Sequence, residues 1–200
     1  MNTREHTAMK MRGNPDISYL GHTVDQMIWS FMEQEKIDGL TLAIVQAPYI
    51  PRVAGYGYSD SQRRRLASPN TMWPAGPISQ AFAAVAVVQL HEDGGLDVNR
   101  RASVYIPELP DTWNDITVLQ LLRHASGLPD YRRAAEFSPD TPWTFDALLQ
   151  LAARNPLHFV PGTDVEQSAT NFLLLTEIVE RVSRLSYHDF VTKRQIEFLG

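Results

Sequence analysis

The chain has 200 residues, 44% of them apolar and 20% charged, enough for one core or two intimately packed lobes and too few for two independent enzyme domains. A formal net charge of -5 and a pI near 5.6 leave no broad cationic surface for phosphates, which argues against nucleic acid and anionic membrane as partners. The absence of cysteine excludes disulfides, a thiolate nucleophile and cysteine-ligated metal, so any chemistry rests on Ser, Thr, Tyr, Lys, His or carboxylates.

Residues 1–20 read as a loose N-terminal extension: Met1 to Asp16 mixes Arg, Glu, His and Lys without the apolar run of a secretory signal. Thr23 followed by Gln26 has capping-box spacing, and Val24, Met27, Ile28, Phe31 and Met32 then recur on one stripe, predicting a helix over 24–36 that Gly39 ends. Leu40 to Val45 is a β-prone run suited to a strand covered on both faces, and Pro48 and Pro51 bracket a turn. Arg52 to Tyr58 reads as its antiparallel partner, with Gly55 and Gly57 marking a bulge or a close backbone approach. Residues 21–65 therefore form a helix plus a two-strand hairpin.

From 66 to 200 the pattern is that of a helix-rich lobe. Ile78 to Leu90 is apolar almost all round, the signature of a central buried helix, and Gly94 and Gly95 stop it. Its purely apolar part, Ala81 to Val88, is too short to span a bilayer, and a soluble, cytoplasmic protein is expected. Further helices are predicted over 117–124, from Phe145 to Ala152, over 169–184 and over 186–198. The 169–184 helix buries Phe172, Leu175, Ile178, Val179 and Val182.

The chain contains no HExxH, GxSxG, GxxxxGK[ST] or GxGxxG motif. Its six histidines, at 6, 22, 91, 124, 158 and 188, are not paired at ligand spacing, so no metal and no cofactor is expected. One arrangement stands out. Trp73-Pro-Ala-Gly76-Pro77-Ile78-Ser79-Gln80 leads into the apolar helix and on to Gly95-Leu96-Asp97. Downstream lie Ile116-Thr117-Val118, His124-Ala125-Ser126-Gly127-Leu128, Phe159-Val160-Pro161-Gly162-Thr163, and Ser168 ahead of Phe172 to Glu180.

Order and spacing together resemble the serine β-lactamase and penicillin-binding-protein superfamily, most closely its branch of class C β-lactamases and esterases. The resemblance covers roughly 23–200. It implies an α+β, β-lactamase/transpeptidase-like fold, with a helical lobe and part of an antiparallel sheet flanked by helices. In that family a serine opens the buried helix and a lysine follows one turn later to take its proton. Here those positions hold Pro77 and Gln80, while Gly76, Ile78, Ser79, Phe82 and Ala84 match their surroundings without a gap. The family's tyrosine and asparagine fall on Gln167 and Ala169. Proline has no hydroxyl, and a neutral amide is no general base.

The rescue candidates are Ser79, turned about 200° from residue 77 by the helix, and Ser168, which also suits an N-cap. The loop motif of His124 and Ser126 is usually architectural in the family. Ile196 to Gly200 resembles the end of the family's helical lobe, with the third motif and most of the sheet expected later. The expectation is a pseudoenzyme engaged in binding or assembly, as a homo-oligomer or with a partner chain completing the sheet. The alternatives are a serine hydrolase or acyltransferase acting on esters, amides or β-lactams, and non-catalytic small-molecule binding in the residual cleft.

Overall fold

The computed structural model describes residues 11–13, 18–19, 21–46 and 49–197 and divides into two compact units, Met1–Pro74 and Ala75–Gly200. The first unit opens with three short strands, β1 (Met11–Gly13), β2 (Ser18–Tyr19) and β3 (His22–Thr23), followed by α1 (Val24–Glu35). The capping box that starts α1 is formed in both directions, with Gln26 N–H on Thr23 Oγ1 at 3.2 Å and Thr23 N–H on Gln26 Oε1 at 2.9 Å. Lys36, at φ 56°, ends the helix ahead of Gly39.

β4 (Gly39–Gln46) and β5 (Tyr49–Asp60) pair antiparallel from Gly39↔Gly57 to Gln46↔Tyr49. The proposed turn residue Pro48 lies outside the described residues. β1 adds to the same strand through Met11↔Ala54, and β6 (Arg65–Leu66) pairs with its far end, giving the sheet order β1-β5-β4 with β6 on β5. Part of the supposed loose extension is therefore sheet. Strands of two or three residues carry no readable alternation, and backbone pairing with a distant strand forms them.

Gly55 and Gly57 mark close approach: a Cβ on Gly55 would lie 2.4 Å from Ala67 C, and one on Gly57, at φ 65°, 2.1 Å from Asp38 O. The core of this unit is small. Met32, Ala54 and Tyr56 are packed by Ile28, Trp29, Ile37, Leu40 and Leu42. β4 is not covered on both faces as its composition predicts, since Val45 is 66% exposed. Arg52, fully buried, is neutralised by Asp25 of α1, and the Tyr56 hydroxyl donates to the same carboxylate at 2.7 Å. Burial first, then this hydrogen bond, pushes the Tyr56 phenol up to about 12.

The second unit carries α2 (Ser79–Glu92), α3 (Val118–Leu122), α4 (Phe145–Ala153), α5 (Ala169–Ser183) and α6 (Tyr187–Val191), which continues as a π turn over Thr192–Ile196. Its core joins Ala86, Val87 and Leu90 of α2 to Leu174, Leu175, Ile178 and Val179 of α5, around Trp113, Ile116, Val118 and Leu121. α5 is the predicted helix: Leu175, Ile178 and Val179 are buried as expected, Phe172 and Val182 only partly, and Thr170, Asn171 and Leu174 join the buried face. α2 departs from expectation. Ala83, Ala86, Val87 and Leu90 are buried, whereas Ile78, Phe82, Val85 and Val88 are 71%, 39%, 47% and 44% exposed.

Candidate functional site

Pro77 stands in a 3-10 turn, Gly76–Ile78, that runs directly into α2. The N–H groups of a first turn have no intrahelical acceptor, so a proline is accommodated there without losing a hydrogen bond. Ser79 is exposed, and its hydroxyl donates to Gly76 O at 2.6 Å. Gln80, in the first turn of α2, is half-buried and faces the loop that follows α3.

That loop is held from below by backbone. Ala125 N–H bonds Gln120 O at 2.8 Å, Glu166 N–H bonds His124 O at 3.0 Å, and Gly162 N–H bonds Ala125 O at 2.7 Å. His158 N–H bonds Gly127 O at 2.8 Å. Gly127, at φ 74°, packs so close to the crossing chain that a Cβ would lie 2.3 Å from Phe159 O. Only glycine satisfies both the dihedral and the spacing.

The loop delivers His124 into a polar junction of three elements. Ser168 N–H points at His124 Nδ1 at 3.3 Å, and Asn171 Nδ2 lies 3.0 Å from the same nitrogen. A ring nitrogen that receives a backbone N–H carries no proton, so the proton is on Nε2, which donates to Gln80 Oε1 at 3.3 Å. Asn171 Oδ1 accepts from Ser126 Oγ at 2.5 Å, and that oxygen accepts from Leu128 N–H at 3.1 Å. Ser126 and Asn171 are both fully buried. Burial lowers the His124 pKa, and the carboxylate of Asp130 partly opposes the shift.

Asp130 sits beneath the start of α5. Burial pushes its carboxyl up, but Arg132, through side chain and N–H, together with the Ala169 N–H, holds it below the usual carboxylate range overall. Arg132 Nη2 lies 2.6 Å from Oδ2, and Ala169 N–H reaches the same oxygen at 3.2 Å.

Of the positions singled out in the sequence, Gln80 and Ser168 meet at His124, Ser168 through its backbone. Ser168 is 2% exposed and is the N-cap of α5, its Oγ accepting from Thr170 N–H at 3.2 Å. Ala169 is buried beside it and Gln167 is exposed. Among the described residues no hydrogen bond links Pro77, Ser79 or Gln167 to the junction. Sequence reasoning missed Asn171. Its signal was a polar residue at i, with Leu174, Leu175 and Ile178 at i+3, i+4 and i+7, placing an amide on the apolar stripe of a helix. The described residues contain no cluster of three or more His, Asp or Glu able to hold a metal ion.

The β-lactamase family model matches residues 24–200. The chain belongs to the β-lactamase family. It is 27% identical over 173 residues to the protein flp of Staphylococcus aureus strain N315, covering 84% of this chain and 35% of that one. Among solved structures, D-amino acid amidase from Ochrobactrum anthropi SV3 superposes with a TM-score of 0.75 at 23% identity, over 88% of this chain and 48% of the other. The octameric penicillin-binding protein homologue from Pyrococcus abyssi superposes with a TM-score of 0.71 at 25% identity, over 88% and 42%. The chain thus spans about a third of its curated relative and just under half of these solved chains. The β-lactamase/transpeptidase-like α+β fold inferred from the motif order is the fold of the family. Among the described residues, no helix is long and apolar enough to cross a membrane.

Proposed function

We propose that this chain is a non-catalytic member of its family that works by binding or assembly, with a second copy or with a partner chain that completes the sheet, in the cytoplasm. The observation that carries the reading is Pro77. The position equivalent to the family nucleophile has no hydroxyl, and Gln80, at the place of the family lysine, engages its carbonyl with His124. Gln167 likewise offers no phenol at the place of the family tyrosine, and Ala169 no amide at that of the asparagine. The engagement of the nearby hydroxyls agrees with this: Ser79 donates to Gly76 O, Ser168 caps α5, and Ser126 is buried on Asn171. The octameric relative lends support to the assembly part.

Intact-mass analysis after incubation with a penicillin and with an activated ester tests the inactivity, and an unchanged mass is expected. A stoichiometric acyl adduct that disappears in Ser79→Ala or Ser168→Ala overturns it in favour of a serine hydrolase or acyltransferase. Size-exclusion chromatography with light scattering tests the association, and a strictly monomeric protein that retains no partner in pull-downs overturns that half.

A further inference from the structure

We propose that His124 is a pH-operated latch on the start of α5: neutral, its Nδ1 accepts from Ser168 and Asn171 while Nε2–H stays on Gln80 of α2, and protonated, it keeps Gln80 but releases the start of α5. The geometry of Nδ1 carries the argument. Two N–H groups converge on it, Ser168 N at 3.3 Å and Asn171 Nδ2 at 3.0 Å, so a proton there would face two donors and no acceptor. A backbone N–H cannot turn away without moving the N-cap of α5.

The side-chain amide of Asn171 could flip to present oxygen, but Oδ1 already holds the buried Ser126 hydroxyl at 2.5 Å. After a flip that hydroxyl would lose its acceptor, and Ser126 Oγ, which already receives Leu128 N–H, would face a second donor. Protonation therefore breaks contacts on at least one side of the ring whichever way the amide lies.

The surroundings supply little charge to offset this. From α2 the ring meets the neutral Gln80, and from α5 it meets Ser168, Asn171 and the ring of Phe172, whose centroid lies 5.2 Å away. Asp130 favours the cation, but its carboxylate is engaged by Arg132 and Ala169 N–H. Glu166 donates its backbone N–H to the His124 carbonyl, while its carboxylate turns to His158 and Arg133. The adjacent Arg123 is exposed.

The latch concerns the junction around positions 80 and 168 and stands whether or not the chain associates with a partner. Histidine-selective 1H–15N NMR of the intact chain tests it. At pH 8, His124 is expected to show a bare Nδ1 and a protonated Nε2. Its titration midpoint is expected below the ordinary histidine value, with the Ser168 amide and the Asn171 side-chain amide shifting at that same midpoint. In Gln80→Glu, a near-isosteric change at this half-buried position that gives Nε2–H a charged acceptor, the midpoint rises while the Ser168 amide still follows it. A protonated Nδ1 at pH 8, a midpoint at or above the ordinary value in the unmodified chain, or a Ser168 amide indifferent to the His124 titration each overturns the proposal.

Discussion

Replacing Gly127 by alanine separates two costs that are usually confounded. Gly94 provides the control, because at φ 76° a Cβ there meets nothing within 4 Å, so Gly94→Ala registers the left-handed backbone penalty alone. That penalty is about 1–2 kcal/mol. Gly127, at φ 74°, incurs the same penalty and in addition forces its Cβ to 2.3 Å from Phe159 O, well inside any real contact. Relieving the clash must displace the Phe159 segment and strain the 2.8 Å bond from His158 N–H to Gly127 O, adding about 1–3 kcal/mol as in an overpacked core. Gly127→Ala should therefore cost about 2–5 kcal/mol in total. Urea denaturation followed by far-UV circular dichroism, with unchanged m-values, measures both variants in the helix-rich unit. Equal losses in the two would refute the claim that the crossing chain at Phe159 is what reserves this position for glycine.

Asp25→Ala removes the carboxylate that both the buried Arg52 guanidinium and the Tyr56 hydroxyl meet and should destabilise the first unit more than Tyr56→Phe, which removes only the hydroxyl and costs about 1 kcal/mol; thermal melts of the two variants compare them. In the second unit, Ile178→Ala empties a fully buried site between α5 and its neighbours and should cost about 2–5 kcal/mol by chemical denaturation. Thr117→Ala removes the Oγ1 that accepts Gln120 N–H at 3.2 Å at the start of α3, and is expected to cost about 1 kcal/mol. Arg181 holds the Glu108 carboxyl below its ordinary range, so this pair stabilises the fold above that range and the contribution fades as pH falls through the lowered value. Melting temperatures measured between pH 6 and pH 3 should fall less steeply in Arg181→Ala than in the unmodified chain.

What could be read in advance was whatever is local. The start of α1 was legible because Thr23 and Gln26 satisfy each other across three residues, and α5 because its apolar positions recur over four turns. That positions 77–80 open a helix was legible from the apolar run that follows them. Gln80 and His124 are 44 residues apart, and Asn171 lies a further 47 beyond, so their meeting depends on how α2, the loop and α5 pack and leaves no trace in spacing. α2 is less buried than its composition predicts for a related reason. An all-round apolar composition says a helix can be covered, but the core takes only the face of Ala83, Ala86, Val87 and Leu90, and Phe82, Val85 and Val88 stay 39–47% exposed.

If a second copy or another polypeptide covers the part-exposed stripe of Ile78 and α2, protein concentration becomes a thermodynamic variable. Such a cover on Ile78, Phe82, Val85 and Val88 would bind the folded chain and not the unfolded one, and so would raise the apparent stability by mass action. A melting temperature that climbs with concentration of the chain alone would identify self-association as the cover. One that is flat in concentration but rises with a second polypeptide would show that the chain's stability is set partly by how much of that partner is present.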